Sequence, residues 1–165
     1  MRGDHTSEAE TLASELDTTF PLMTVVQKYR LPAVRAAIAL QRKDPGRAIE
    51  LLQLPSTMEL ATAQDDSGIL SGALLPVYLR GQAFLMLHDG NRAAAEFQKF
   101  IDHRGLVGNF PLGAMAHLQL ARSYGEAGNK AKAKAYYQEF LNLWKDADSD
   151  IPILKQAKAE CATLQ

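Results

Sequence analysis

Four histidines and one cysteine are the first side chains in this sequence to consider as transition-metal ligands or as a catalytic base and nucleophile. The histidines do not have the spacing of metal ligands; they are His5, His88, His103 and His117. Cys161 lies on the apolar side of the last predicted helix, without a recognisable catalytic constellation around it. We interpret the histidines as structural or surface residues and Cys161 as a buried, inert thiol.

Three alternating aspartates resemble the first half of an EF-hand calcium loop; they are Asp146, Asp148 and Asp150. Such a loop needs glycine at its sixth position and a bidentate glutamate at its twelfth. This sequence has Ile151 and Ala157 at those two positions. We therefore interpret the aspartates as acids at the N-terminus of a helix, where the helix dipole favours negative charge. The sequence predicts no metal ion and no cofactor.

Length and composition exclude several classes of protein. The chain has 165 residues, of which 47% are hydrophobic and 22% charged, with a formal net charge of −1. It is too hydrophobic for a disordered chain, and a single cysteine excludes a disulfide scaffold. The balanced charge gives no electrostatic reason to expect a nucleic-acid partner, and no stretch approaches the ~20 apolar residues of a membrane helix. The start, MRGDHTSEAE, lacks the apolar core of a secretory signal, so we expect a cytoplasmic location.

An all-α fold is indicated by composition and by spacing. The chain has 25 Ala and 23 Leu against 11 Val plus Ile, and alanine and leucine are strong helix formers. Apolar residues recur every three or four positions nearly throughout. Polar or glycine-containing stretches predict loops at 56–71 and from Gly105 to Pro111.

The predicted organisation is a disordered or tag-like N-terminus at 1–6 and a single domain at 7–165. Within the domain we expect a half repeat at 7–20, repeats at 23–55, 72–104 and 111–145, and a capping helix at 149–164. Capping residues are predicted before several helices: Ser7 for the first, Asp44 for the helix at about 45–53, and Asp148, Ser149 and Asp150 for the last.

The clearest internal repeat runs from Ala116 to Trp144. Small residues at Ala121 and Ala133 would let two helices cross closely, and Gly128 would carry the backbone through the turn between them. The characteristic residues are His117, Leu120, Ala121, Tyr124, Gly128, Ala133 and Tyr137. This spacing resembles the tetratricopeptide repeat (TPR), a helix–turn–helix of ~34 residues.

Two further copies of the pattern precede this one. From Pro76 to Asp102, the first small site is Gly81, the turn is predicted at Gly90, two residues later than the motif expects, and the second small site is Ala94 or Ala95. From Leu31 to Leu54 the small sites are Ala36 and Ala48, with Asp44-Pro45-Gly46 as the turn. The resemblance implies a right-handed superhelical array of antiparallel helix pairs, a TPR-like α-solenoid with a C-terminal capping helix.

Longer phrases resemble the C-terminal TPR region of bacterial eukaryotic-like serine/threonine kinases. These phrases are LPAVRAAIALQRKDPGRAIELLQ, LLPVYLRGQAF, AEFQKFIDHRG and LWKDADSDIPILKQAKAE. No kinase motif is present: there is no glycine-rich nucleotide loop, no strand lysine, no catalytic-loop motif and no DFG. The resemblance therefore implies a non-catalytic accessory module, and it carries over no active-site residues. The first segment, Glu8–Phe20 followed by Pro21, resembles the second helix of a repeat without its partner, so we expect that the chain begins inside a larger repeat array or that residue 1 is an artificial boundary.

In TPR arrays the first helix of each pair lines the concave surface, so the motif predicts which residues form a peptide-binding groove. That surface is mixed, and it suits an extended peptide or a helix better than a small substrate. The predicted groove residues are Arg30, Ala33, Ala37, Gln41, Tyr78, Gln82, Leu85, Leu118, Arg122 and Glu126. Tyr78 and Leu118 could instead pack between adjacent repeats.

The leading hypothesis is a protein–protein interaction module, acting as a scaffold or regulatory part of a larger signalling protein and binding a protein or peptide. One alternative is a homo-oligomer, such as a homodimer, formed through the ends of the array. Another is an enzyme with a scattered site, which would need His103 or His117 beside buried carboxylates in a deep cleft.

Overall fold

The computed structural model describes residues 5–53, 56, 59–60, 74–108 and 110–164. Within those ranges the protein is all-α, with nine α-helices and no β-strand. A π-helical turn, Val26–Arg30, leads directly into the second helix. The helices are α1 (His5–Thr19), α2 (Leu31–Gln41), α3 (Pro45–Leu51), α4 (Leu75–Met86), α5 (Gly90–Asp102), α6 (Arg104–Val107), α7 (Pro111–Glu126), α8 (Lys130–Leu143) and α9 (Pro152–Ala162). The fold is the expected TPR-like array, in which α2–α3, α4–α5 and α7–α8 form the pairs.

The three helix pairs are joined by the same turn. The second residue of the turn has a left-handed backbone conformation in every copy. Its φ is 62° at Lys43, 57° at His88 and 78° at Gly128. The next residue then caps the second helix of the pair. The side chains of Asp44, Asp89 and Asn129 each accept a hydrogen bond from the backbone N–H three residues later, at 3.0, 2.9 and 3.1 Å. The predicted cap at Asp44 is therefore confirmed, and the caps show that the three turns are equivalent.

Small residues allow the two helices of each pair to approach closely. The first small site is Ala36, Gly81 or Ala121, and the second lies 12 residues later in every copy, at Ala48, Ala93 or Ala133. All five alanines are fully buried. At Gly81 an added Cβ would lie 2.6 Å from the ring of Phe97, so the glycine makes room for that aromatic side chain. The close crossing predicted for Ala121 and Ala133 is confirmed.

The predicted turn of the second copy is wrong. We expected Gly90 to be the turn residue and α4 to be longer, but the left-handed residue is His88. His88 follows Gly81 by seven residues, as Gly128 follows Ala121, so the register is the same in both copies. The second small site is likewise Ala93 rather than Ala94 or Ala95. Gly90 is instead the first residue of α5, where an added Cβ would lie 2.6 Å from the backbone nitrogen of Ala127.

Neighbouring pairs stack on one another through a continuous apolar core. Helix α3 packs on α4, α5 on α7 and α8 on α9, while the first helices contact each other in the order α2, α4, α7. Large side chains fill the spaces between the layers: Leu52 and Leu79 between the first two pairs, Phe97 and Leu120 between the next two, and Phe140 below α9. The core therefore follows the array from end to end.

Helix α1 closes the N-terminal side of the array. Ala13 is buried against Val26 and Leu31. A bidentate ion pair also joins Arg42 to Glu10, with hydrogen bonds of 2.6 and 2.8 Å. Two expectations for this region are wrong. Ser7 lies within α1 and does not cap it, and α1 begins at His5, inside the stretch at 1–6 that was predicted as disordered or tag-like. The rest of that stretch, residues 1–4, lies outside the described residues.

The remaining differences from the sequence prediction concern loops and the last helix. The stretch Gly105–Pro111 is not entirely a loop, because α6 covers most of its first half and α7 begins at Pro111. The aspartate-rich cap of α9 is also wrong: the N-cap residue is Ile151, and no side chain bonds there. Of the predicted loop at 56–71, only residues 56, 59 and 60 are among those described.

A buried ionic cluster, which the repeat pattern does not indicate, joins the first two repeats. Arg80 of α4 is only 7% exposed, and its guanidinium pairs with Glu59 and with Glu96 of α5. It also donates a hydrogen bond to the Leu52 carbonyl at 3.3 Å. Burial favours the neutral form of Glu96, but the hydrogen bond and charge of Arg80 outweigh it and hold the pKa of that carboxyl below its usual value.

Removing the Arg80 guanidinium should therefore be costly. We expect Arg80→Ala to lower the free energy of unfolding by about 3 kcal/mol, because two buried carboxylates lose their buried partner and keep only the partly exposed Lys99. The matched variant Arg47→Ala breaks an exposed pair with Glu50 and should cost less than ~1 kcal/mol. Urea unfolding followed by circular dichroism measures both values, and equal losses would contradict this reading of the cluster.

The close contact at Gly90 gives a second stability prediction. Gly90→Ala should lower the free energy of unfolding by about 1–3 kcal/mol, because the new methyl group meets backbone atoms of α7 that cannot move aside. Gly105→Ala, at a helical glycine with no atom within 4 Å of the added Cβ, should be neutral or slightly stabilising. Thermal melts of the two variants compare them directly, and a neutral Gly90→Ala would refute the packing argument.

Candidate functional site

A groove of about 370 Å³ runs along the first helices of the pairs. Each of α2, α4, α7 and α9 contributes residues, so the groove crosses all three repeats and ends at the C-terminal helix. Its lining residues are Leu40, Gln41, Lys43, Gln82, Leu85, Met86, Gln119, Arg122, Gln156 and Glu160. This is the surface that the repeat pattern predicts as the concave face.

Four of the predicted groove residues lie in this cavity: Gln41, Gln82, Leu85 and Arg122. The others lie outside its lining. Arg30 is exposed in the π-helical turn and Ala37 is half-buried on α2. Glu126 lies at the end of α7, where its carboxylate is 2.7 Å from Nδ1 of His88 in the preceding repeat.

Three predicted groove residues belong to the core instead. Ala33, Tyr78 and Leu118 are 2%, 7% and 0% exposed, so none of them offers an open surface to a ligand. The alternative of packing between repeats applies to Tyr78, since its ring meets Phe97 of its own helix pair edge-on at a centroid distance of 5.4 Å and its hydroxyl reaches α7 of the next pair. Burial raises the pKa of the Tyr78 hydroxyl, which accepts a hydrogen bond from the Gln119 amide at 3.1 Å.

An ionic contact between α7 and α9 closes one end of the groove. The Arg122 guanidinium donates two hydrogen bonds to the Glu160 carboxylate, at 2.9 and 3.0 Å. The Tyr137 hydroxyl and the Gln156 amide also donate to this carboxylate, at 2.9 and 2.8 Å. Burial by itself would raise the pKa of Glu160, but the hydrogen bonds from Arg122 and Tyr137 outweigh it, and the pKa is lowered.

Glu160 points towards the last repeat, although it lies on the same helix as the exposed Lys155 and Lys158. Helix α9 also buries Leu154 and Ala157 against the last repeat. The physical reason for the difference is the pairing with Arg122, which lies 38 residues earlier. The order of the helices does indicate this position. Helix α9 follows α8 as the first helix of a further pair would, and the first helices line the groove.

Three of the ten lining residues are charged, Lys43 at one end of the groove and the paired Arg122 and Glu160 at the other. Between them, amides at Gln41, Gln82 and Gln156 are exposed or half-buried, whereas the Gln119 amide is buried and bonded to Tyr78. An amide offers both a donor and an acceptor, the same groups that a peptide bond presents. The half-buried apolar side chains of Leu85 and Met86 also line the groove and could contact a ligand. The groove is therefore chemically suited to a peptide segment.

Other chemistry has little support among the described residues. They contain no group of three or more His, Cys, Asp or Glu side chains placed to hold a metal ion. Nδ1 of His117 is 2.8 Å from Glu139, but that carboxylate is 55% exposed rather than buried in a cleft. No helix in the described ranges is both long and apolar enough to cross a bilayer.

The Glu160 contact makes a pH prediction. Because its pKa is lower in the folded protein than the ~4.3 of an unfolded glutamate, its stabilising effect is complete above that value and is lost as the pH falls through the folded pKa. We therefore expect the free energy of unfolding to fall less between pH 6 and pH 3 in Glu160→Gln than in the original protein. Glu15→Gln, at an exposed position on α1, is the control and should follow the original protein. Parallel pH curves for Glu160→Gln and the original chain would contradict this.

Comparison with known proteins identifies one of the repeats. Residues 115–147 match the model of the tetratricopeptide repeat family, a segment that covers most of α7, all of α8 and the start of the linker to α9. Neither the curated proteins nor the solved structures contain a match to this chain. The third helix pair thus matches the tetratricopeptide repeat, and it lies within an all-α array whose other two pairs share its turn and its small-residue spacing.

Proposed function

We propose that the protein is a non-catalytic interaction module that binds an extended peptide segment of a partner protein in the groove along α2, α4, α7 and α9. Tetratricopeptide repeats generally mediate protein–protein interactions and are typically non-catalytic. The observation that carries the proposal is the groove lined by amide and apolar side chains from α2, α4, α7 and α9, with charged side chains at its two ends.

The wider role is a scaffold or regulatory part of a larger signalling protein. Support for this comes from the four sequence phrases that resemble the C-terminal TPR region of bacterial eukaryotic-like serine/threonine kinases. A module of this kind would bring a protein substrate or regulator to a catalytic domain without contributing to the chemistry. Its groove would then act by raising the effective concentration of the bound partner.

A selection from a phage-displayed library of random 12-residue peptides tests the groove. We expect enriched peptides that bind the original protein, and at least ~10-fold weaker binding to the double variant Gln41→Ala, Gln82→Ala, because it removes two amides from the groove. Neither residue is fully buried, so the fold should be kept. Fluorescence anisotropy with the enriched peptides gives the dissociation constants.

The control variant is Gln138→Ala, at an exposed position on α8 and outside the groove lining. It should bind the selected peptides as the original protein does. If no peptide is enriched, or if the double variant binds as tightly as the control, the proposed groove function is wrong.

A further inference from the structure

A second surface is unrelated to the peptide groove. It is a cavity of about 550 Å³ between α5, α6, α7 and α8, which we name the α6 groove. Its apolar wall includes Phe110 and Leu143, which are 43% and 58% exposed, and Val107 forms part of its floor. Gly113 allows α6 to pack closely on α7 at the edge of the groove, since an added Cβ would lie 2.8 Å from Val107. A cavity of this size can receive several apolar side chains.

An exposed apolar projection near the N-terminus could fill such an apolar groove. The turn after α1 contains Phe20, Leu22 and Met23, which are 41%, 94% and 51% exposed; we name it the apolar knob. Its backbone is held in place, because the Met23 N–H donates to the Phe20 carbonyl at 3.2 Å and the Gln27 amide donates to the same carbonyl at 3.2 Å. An ordered projection loses little conformational entropy when it binds.

Charges beside the two surfaces are also complementary. Two charged side chains line the α6 groove: the Glu139 carboxylate contacts His117, whereas Arg104 has no ion-pair partner among the residues that the structure describes. Glu15 is exposed on α1, about one helical turn before the knob, and is likewise without an ion-pair partner in the described ranges. A knob that entered the groove could therefore bring an acidic side chain towards a basic one.

The array ends are less suitable for self-association. The outward side of α1 carries exposed Thr11, Glu15 and Thr18, and α9 exposes Lys155 and Lys158. Helix α1 itself packs on α2 and on the π-helical turn, so the knob that follows it is placed beside the first repeat and not in the groove of its own chain. A second copy of the chain can supply both an apolar knob and a groove.

We propose that the protein self-associates head to tail, with the apolar knob of one copy inserted in the α6 groove of the next. The two surfaces differ, so each added copy leaves one free knob and one free groove, and the contact generates a series of copies or a ring instead of a closed symmetric dimer. Three knob side chains form a contact well below the ~1,200 Å² of a stable interface, so the association is weak and depends on concentration.

Sedimentation velocity of the full chain from about 10 µM to 1 mM tests the proposal, in the range expected for a small interface. We expect the weight-average mass to rise at least ~1.5-fold, and to pass that of a dimer at the highest concentrations. Leu22→Glu in the knob and Leu143→Glu in the groove should each abolish this rise, since each places a charge in an apolar contact. Both leucines are exposed, so circular dichroism should show unchanged folding.

Mixing these two variants is the decisive measurement. Leu22→Glu retains an intact groove and Leu143→Glu retains an intact knob. The mixture should therefore form a 1:1 dimer and nothing larger. Leu87→Glu, at an exposed leucine outside both surfaces, is the control and should assemble like the original protein.

Three results would overturn the proposal. A constant monomer mass at all concentrations would show that a second copy does not bind in the α6 groove, and the occupant would then be a different protein. Assembly that persists in Leu22→Glu would exclude the knob. A monomeric mixture of the two variants would indicate a symmetric contact instead of a head-to-tail one.

Discussion

The whole array depends on how closely the two helices of each pair can approach. A small residue on each helix, such as Ala36 opposite Ala48, brings the backbones together and leaves no space for water. The larger side chain four residues after the second small site then fills the space behind the crossing, as Phe97 does over Gly81. Helix orientation, the turn and the stacking of the next pair all follow from this approach, because each pair presents a fixed surface to its neighbour.

The features that the sequence predicts well are local ones. Helices, the capping role of Asp44 and the small sites near Gly128 depend on residues close together in the chain, and a repeated pattern makes them visible. The turn at His88 was missed because glycine is the usual left-handed residue, whereas this one has a side chain. Contacts between distant residues, such as Arg80 with Glu59 and Arg122 with Glu160, have no spacing that a single sequence reveals.

For the groove, the repeat pattern predicts which helices form the surface but not which side chains reach it. Gln82 and Leu85 line the cavity, while Tyr78, one turn before Gln82 on the same helix, is buried against α5 of its own pair and α7 of the next. Side-chain direction depends on how far adjacent pairs are rotated, and that rotation is set by packing between them. The contribution of Glu160 depends in turn on how α9 docks on the last repeat.

The stacking order also has a consequence for how this protein unfolds. Among the described elements, each helix pair packs mainly on the pairs next to it, and the extensive contacts all join neighbours in the array. The chain therefore behaves as a one-dimensional series of units coupled to their neighbours, in which folding can start at any pair and spread. Loss of structure should begin at α1 or α9, each of which has a neighbour on one side, and the middle repeat should exchange its amide hydrogens last.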